Sequence, residues 1–85
     1  MTYEIKYAKS AQKELKKLPA LAQKRILVAI IKLTRNPRKG NVRPMVGATA
    51  WRMRVGDYRV LYDIYDHEIV ILIMRIAHRK EVYKK

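Results

Sequence analysis

Residues 51 to 62 read WRMRVGDYRVLY. Apolar and charged side chains alternate on either side of Gly56-Asp57, a pair that serves as a two-residue hairpin turn of the primed type. That turn sets a register: Val55 faces Tyr58, Arg54 faces Arg59, Met53 faces Val60 and Trp51 faces Tyr62. In this register Trp51, Met53, Val55, Tyr58, Val60 and Tyr62 line one face of the hairpin, suited to burial, while Arg52, Arg54 and Arg59 share the other.

Working outward, the period of two continues. AWRMRV (50–55), YRVLYDIY (58–65) and, after a turn at Asp66 to Glu68, IVILIMRI (69–76) predict a three-stranded antiparallel meander. Upstream, YEIKY (3–7) alternates as a short strand with Tyr3, Ile5 and Tyr7 on one side. Ser10 is a plausible N-cap for a helix in which Ala11, Leu15 and Leu18 form the apolar stripe and Lys13, Lys16 and Lys17 face solvent, until Pro19 interrupts. A second helix runs from Ala20 to Arg35, with Ala22, Ile26, Ile30 and Leu33 as its stripe, broadened by Leu27 and Ile31. Asn36-Pro37 ends it, and PRKGNVRPMVGA (37–48) reads as a basic loop. The order β-α-α-β-β-β describes a single α+β domain over residues 1–85, with a helical hairpin packed on one face of a small antiparallel sheet and the other face left free.

A chain of 85 residues buries only about 60 to 65% of the surface that its unfolded form exposes, so nothing beyond one core is expected. The formal charge is +13 and the pI near 10.4, which points to a polyanionic partner: nucleic acid first, an acidic protein second. Residues 1–43 carry most of this charge, with twelve Lys and Arg against two acids; residues 44–85 have eight against five. There is no cysteine, which removes disulfides and thiolate zinc sites. The longest apolar runs, ILVAII and IVILIM, fall far short of the roughly 20 residues of a membrane span, and MTYEIKYAKS lacks a signal core, so an intracellular, cytoplasmic protein is expected.

The three arginines are a poor choice for stability, because like charges directly opposite on a sheet are destabilising by up to about 1 kcal/mol. An anion at that face would resolve the conflict. Phosphate suits best, since guanidinium presents a planar fork that binds it bidentately and keeps its charge. The plainer alternative is edge protection, or pairing with Asp57 and Asp63. Arg79 and Tyr83 follow the last strand, where Arg79 could grip a phosphate and Tyr83 stack on a base, or Tyr83 could simply pack as a tail aromatic. With His67 in a turn, His78 after a strand and no carboxylate pair at ligand spacing, no metal site is expected. No Ser-His-Asp set and no phosphate-cradling glycine loop are present. Any reaction must run on cations and a tyrosine.

The combination W-R-M-R-V-G-D-Y-R-V-L-Y, then I-V-I-L-I-M-R-I-A-H-R-K-E-V-Y, after a helical hairpin ending in N-P, resembles the RelE/ParE superfamily of toxins from type II toxin–antitoxin pairs. The RelE-like branch, as the resemblance implies, enters the ribosomal A site and cleaves messenger RNA by attack of the RNA's own 2′-hydroxyl on the neighbouring phosphate, without a cofactor. Its catalytic positions correspond to Arg52, Arg54, Arg59, Arg79 and Tyr83. Arg59 and Arg79 are candidates to stabilise charge on the phosphoryl oxygens, and Arg79 to protonate the leaving 5′-oxygen. Some members carry lysines where this chain has Arg52 and Arg54. A guanidinium with a pKa above about 12 is a poor base, which leaves Tyr83, Glu81, His78 and ribosomal RNA as proton acceptors. Lys13, Lys16, Lys17, Lys24 and Arg25 are candidates for RNA contact. The resemblance also implies an acidic antitoxin, partly disordered and DNA-binding, laying a helix or strand across the sheet or the helical hairpin. Two alternatives stand beside it: the ParE-like branch, which poisons DNA gyrase and lacks the RNA-cleaving residues, and a basic RNA-binding module without activity.

Overall fold

The computed structural model describes residues 2–47 and 49–78. The elements are β1 (Glu4–Tyr7), α1 (Lys9–Lys16), α2 (Ala20–Leu33), β2 (Val42–Pro44), β3 (Trp51–Val55), β4 (Tyr58–Tyr65) and β5 (Val70–His78). The strands form one sheet in the order β1-β5-β4-β3-β2. The β3–β4 hairpin has the register expected from its turn, Val55 against Tyr58 through Trp51 against Tyr62. Gly56 takes φ +57°, the left-handed conformation that a primed turn demands at its first central position.

The sheet is mixed rather than antiparallel, because β1 pairs parallel with β5, Glu4 against Val70 through Tyr7 against Ile73. The chain leaves β1 through the two helices, reaches the far edge at β2 and meanders back, so β5 arrives running the same way as β1. The segment 37–48 is not wholly loop: Val42–Pro44 forms the edge strand β2, antiparallel to β3. Pro44 suits an edge, where a missing N–H leaves no ladder bond broken.

The helices pack on one face of the sheet. Ala11, Ile26, Ile30 and Leu33 meet Met53, Val60, Tyr62, Ile71, Ile73 and Ile76 in a single buried cluster, and each buried aliphatic side chain contributes about 1.5 to 3 kcal/mol. Helix α2 ends at Leu33, two residues early, where the Thr34 hydroxyl donates to the Ile31 carbonyl at 2.6 Å. Its buried stripe is narrower than expected, since Leu27 and Ile31 lie on the exposed side.

A β-bulge shapes β5. Leu61 pairs with Arg75 but Tyr62 with Ile73, so Met74 is the extra residue, and Ile73 and Ile76 both face the core although they are three apart. Helix α1 satisfies the groups that the bulge leaves over. The Ser10 hydroxyl donates to the Met74 carbonyl at 2.9 Å, the Ile76 N–H donates to Glu14 Oε1 at 2.8 Å, and Arg75 Nε donates to Glu14 Oε2 at 2.7 Å. Ser10 is therefore not a cap; Ala8 holds that position, with its N–H donating to the Ile73 carbonyl as the chain leaves β1.

The stretch between α2 and β2 is held at Pro37 and Arg38. Tyr62, wholly buried, donates its hydroxyl to the Pro37 carbonyl at 2.6 Å. Arg38 forms a forked ion pair with Asp66, 2.8 Å at the shorter contact, and lies 5.9 Å from the centre of the Trp51 ring. Tyr3 donates its hydroxyl to the same Asp66 carboxylate at 2.7 Å. These ties carry β2 alongside β3 and so decide what stands opposite Arg52.

Candidate functional site

The face of the sheet turned away from the helices carries four arginines on three adjacent strands. Arg52 and Arg54 are two apart on β3 and point the same way. Across the hairpin Arg59 stands directly opposite Arg54, and on the other side Arg43 of β2 stands directly opposite Arg52. Together with Gly40, Asn41 and Val42 they line a cleft of about 380 Å³. The Asn41 carbonyl, at the wall of the cleft, accepts the Arg54 N–H at 2.9 Å. Arg59 is only 6% exposed and donates from Nη1 to the Tyr58 carbonyl at 3.1 Å, whereas Arg54 and Arg43 are open to solvent.

The cleft thus contains two cross-strand pairs of like charge. Pairing with Asp57 or Asp63, the plainer alternative, does not occur: among the described residues neither carboxylate makes an ion pair. A planar anion with several oxygens is the ligand such a site fits, and a partly desolvated guanidinium such as Arg59 binds charge more strongly than one in water.

Arg43 is the residue that sequence reasoning missed as part of this set. Its signal is faint, a single Val-Arg alternation before a proline, and only the pairing of β2 with β3 places it. Arg79, Glu81 and Tyr83 lie outside the described residues. His78 is a correction. It pairs with Tyr58 and meets that ring edge-on, centroids 5.4 Å apart, on the side of the sheet that carries the helices. Ala77 is the β5 residue facing Arg59, so His78 does not reach the arginine cleft as a proton acceptor. Lys13, Lys16, Lys24 and Arg25 are exposed on the helices and Lys17 just past the end of α1. They stand on the helical layer and not on the strands that carry the arginines.

Several groups of the scaffold have displaced pKa values. Arg38 and then Tyr3 hold the Asp66 carboxyl below its ordinary range by hydrogen bonding to the carboxylate. Burial pushes the Tyr62 hydroxyl up to about 12 and raises that of Tyr7. Among the described residues no helix is long and apolar enough to cross a membrane.

The family model of the ParE toxin of type II toxin–antitoxin system, parDE, matches residues 5–83. The chain is 33% identical to the toxin RelG of Mycobacterium tuberculosis over 91 aligned positions that span the whole of both proteins. It is 24% identical to the mRNA interferase toxin RelE of Escherichia coli, covering 100% of this chain and 94% of that one. Its structure superposes on the archaeal RelE–RelB complex of Pyrococcus horikoshii with a TM-score of 0.80 at 33% identity, covering 93% of this chain and 97% of that chain.

Proposed function

The chain belongs to the ParE toxin family of type II toxin–antitoxin systems, and from that premise we propose that it is a RelE-like endoribonuclease, cutting messenger RNA in the ribosomal A site in the cytoplasm. The observation that carries the reading is the arginine cleft: Arg43 opposite Arg52 and Arg54 opposite Arg59 on one sheet face. A face built to contact a neutral surface gains nothing from two directly opposed like-charge pairs, whereas a phosphodiester makes both favourable. The mRNA interferase name of the E. coli relative supports the same reading.

In this reaction the 2′-oxygen attacks the adjacent phosphorus while the bond to the 5′-oxygen breaks. Negative charge grows on the non-bridging oxygens, and a preorganised donor aimed there is typically worth about 2.7 to 4 kcal/mol. Arg59, held within the sheet by its strand and by the Tyr58 carbonyl, is the donor the cleft fixes best. Arg52, Arg54 and Arg43 add charge around it, and Arg79 and Tyr83 complete the proposed set. The proton acceptor is drawn from Tyr83, Glu81 or ribosomal RNA. The RNA supplies its own nucleophile, so no cofactor is called for. The lysines of α1 with Lys24 and Arg25 suit a ribosomal RNA surface, on the side of the protein away from the cut strand.

The P. horikoshii relative is known in complex with RelB, and an acidic antitoxin fits this chain. Helix α2 exposes Leu21, Val28 and Ile31 at 65, 49 and 64%. With Lys24 they share one outer row of the helix and Lys32 lies beside it, which matches an amphipathic partner helix that brings acidic residues to these lysines.

The test is primer extension on a defined message in a reconstituted translation system, with and without ribosomes, for the wild type and Arg59→Ala. Ribosome-dependent cuts that disappear in the mutant support the proposal. The ParE description of the matching family model favours a second reading, inhibition of DNA gyrase; intact message together with loss of gyrase supercoiling activity would select it.

A further inference from the structure

The arginines occupy only part of the free face. Along β4 that face continues from Arg59 through Leu61 to Asp63, and β5 places Arg75 opposite Leu61 and Leu72 opposite Asp63. Leu61, Asp63 and Leu72 are each half-buried. Lys6 of β1 stands beyond Leu72, and Arg52 stands opposite Leu61, which makes Arg52 the diagonal neighbour of Asp63 at about 7 to 8 Å between strand positions. Among the described residues Asp63 nevertheless takes part in no hydrogen bond and no ion pair. Arg75 is engaged elsewhere, by Glu14.

An unpaired carboxylate beside a phosphate site opposes binding of the phosphate. It is accounted for if it meets a part of the ligand that donates hydrogen bonds. In a nucleotide that part is the edge of the base, and an apolar floor next to the carboxylate is what a base face lies against. The order along β4 matches the order of groups in a nucleotide: Arg59 for the phosphate, Leu61 under the base, Asp63 at its edge.

We propose that Leu61, Leu72 and Asp63 form a base-binding subsite of the cleft, in which the Asp63 carboxylate accepts hydrogen bonds from the Watson–Crick edge of one nucleotide of the message. The proposal rests on the endoribonuclease reading and adds to it a source of sequence preference. A carboxylate offers two acceptors and no donor. Guanine presents two adjacent donors, its ring N–H and its amino group, and pairs with both oxygens. Adenine and cytosine present one donor beside an acceptor nitrogen, and uracil presents one N–H between two carbonyls. Guanine is therefore the preferred base, by roughly ten- to a hundred-fold over the others for a bidentate contact.

Substituting Asp63→Asn changes the pattern rather than only weakening it, because an amide has one acceptor and one donor and so matches adenine or cytosine. The experiment is the ribosome-dependent cleavage assay on messages whose A-site codon is varied one base at a time, read as the ratio of cutting between bases for the wild type and Asp63→Asn. A guanine preference at one codon position that shifts to adenine or cytosine in Asp63→Asn is the expected result. The same base order in both proteins overturns the subsite even if the cleavage itself is strong. If the wild type cuts no message, the endoribonuclease reading fails separately. The subsite is then judged by fluorescence titration with short 2′-O-methyl RNAs carrying guanine or adenine at each position: tighter binding of guanine that reverses in Asp63→Asn sustains it, and equal affinities reject it.

Discussion

Arg54 stands directly opposite Arg59 across the β3–β4 hairpin, one guanidinium in solvent and the other 6% exposed. Such a pair costs the folded protein up to about 1 kcal/mol, which a neutral β-former at the exposed position would recover. Arg54→Thr is accordingly expected to raise stability by about 0.2 to 1 kcal/mol, a few degrees in the melting temperature of a domain this small. Cleavage should fall at the same time, since the charge that strains the sheet is the charge offered to the phosphate. Thermal unfolding at low and high salt checks the first half, because screening must narrow the difference between the two proteins. An Arg54→Thr protein no more stable than the wild type at low salt would mean that the opposed pair is not a source of strain.

Arg43 makes a sharper case for the cleft, because it lies on an edge strand and supports no core packing. Hydrogen bonds to charged groups contribute about 1.5 to 3 kcal/mol, so Arg43→Ala should lower single-turnover cleavage roughly ten- to a hundred-fold. Stability should not fall, because the substitution also relieves the like-charge pairing of Arg43 with Arg52, and any gain should stay below about 1 kcal/mol. Arg43→Lys should recover only part of the rate, since it restores the charge without the fork. Full activity in Arg43→Ala would confine the site to β3 and β4.

What the sequence reveals and what it hides divide along physical lines. The β3–β4 register is legible because turn length and side-chain alternation set it independently and agree at all five pairs. Strand β2 is hidden because three residues ending in proline carry no period, and its partner lies across a loop; Arg43 is hidden with it. The bulge at Met74 is hidden for a different reason. IVILIMRI is apolar on both sides, so nothing marks where the alternation skips. Strict alternation from Ile71 and Ile73 would turn Arg75 and Ala77 toward the core and His78 toward the arginines. One extra residue reverses all three, and with them the suitability of His78 as a base. Parallel pairing of β1 is likewise a property of the path, which no local pattern encodes.

Two scaffold groups give stability a defined dependence on pH. The Asp66 carboxyl, held below its ordinary range by Arg38 and Tyr3, is more acidic folded than unfolded. Its contribution is present above the unfolded pKa and is lost as pH falls through the folded one. The Tyr62 hydroxyl moves the opposite way, from 10.0 up to about 12. Its contribution is present below pH 10.0 and is lost as pH rises toward about 12. Absorbance titration should show one tyrosine ionising last, and it should vanish in Tyr62→Phe. That variant also leaves the Pro37 carbonyl without its donor, at a cost of about 1 to 3 kcal/mol at neutral pH. An unchanged alkaline limb in Tyr62→Phe would assign the late ionisation to another tyrosine.

The exposed stripe of α2 separates neutralisation from catalysis. Leu21, Val28 and Ile31 lie on the helical layer, and the arginines lie beyond the sheet, so a residue on one surface can change without touching the other. Ile31→Asp removes an apolar contact and places an acid where an acidic partner must approach, yet at 64% exposure it should alter stability by less than about 0.5 kcal/mol. Affinity for the antitoxin should fall at least about ten-fold, equivalent to about 1.4 kcal/mol. Without antitoxin the variant should still cut at the same positions, its rate falling only as far as the new acid weakens the contact of the neighbouring Lys24 with ribosomal RNA. In cells this variant would arrest growth even when its antitoxin is co-expressed, and titration calorimetry on the purified pair measures the loss directly. Unaltered affinity would move the principal contact off the helices and onto the sheet, where the antitoxin would have to compete with RNA for the arginines themselves.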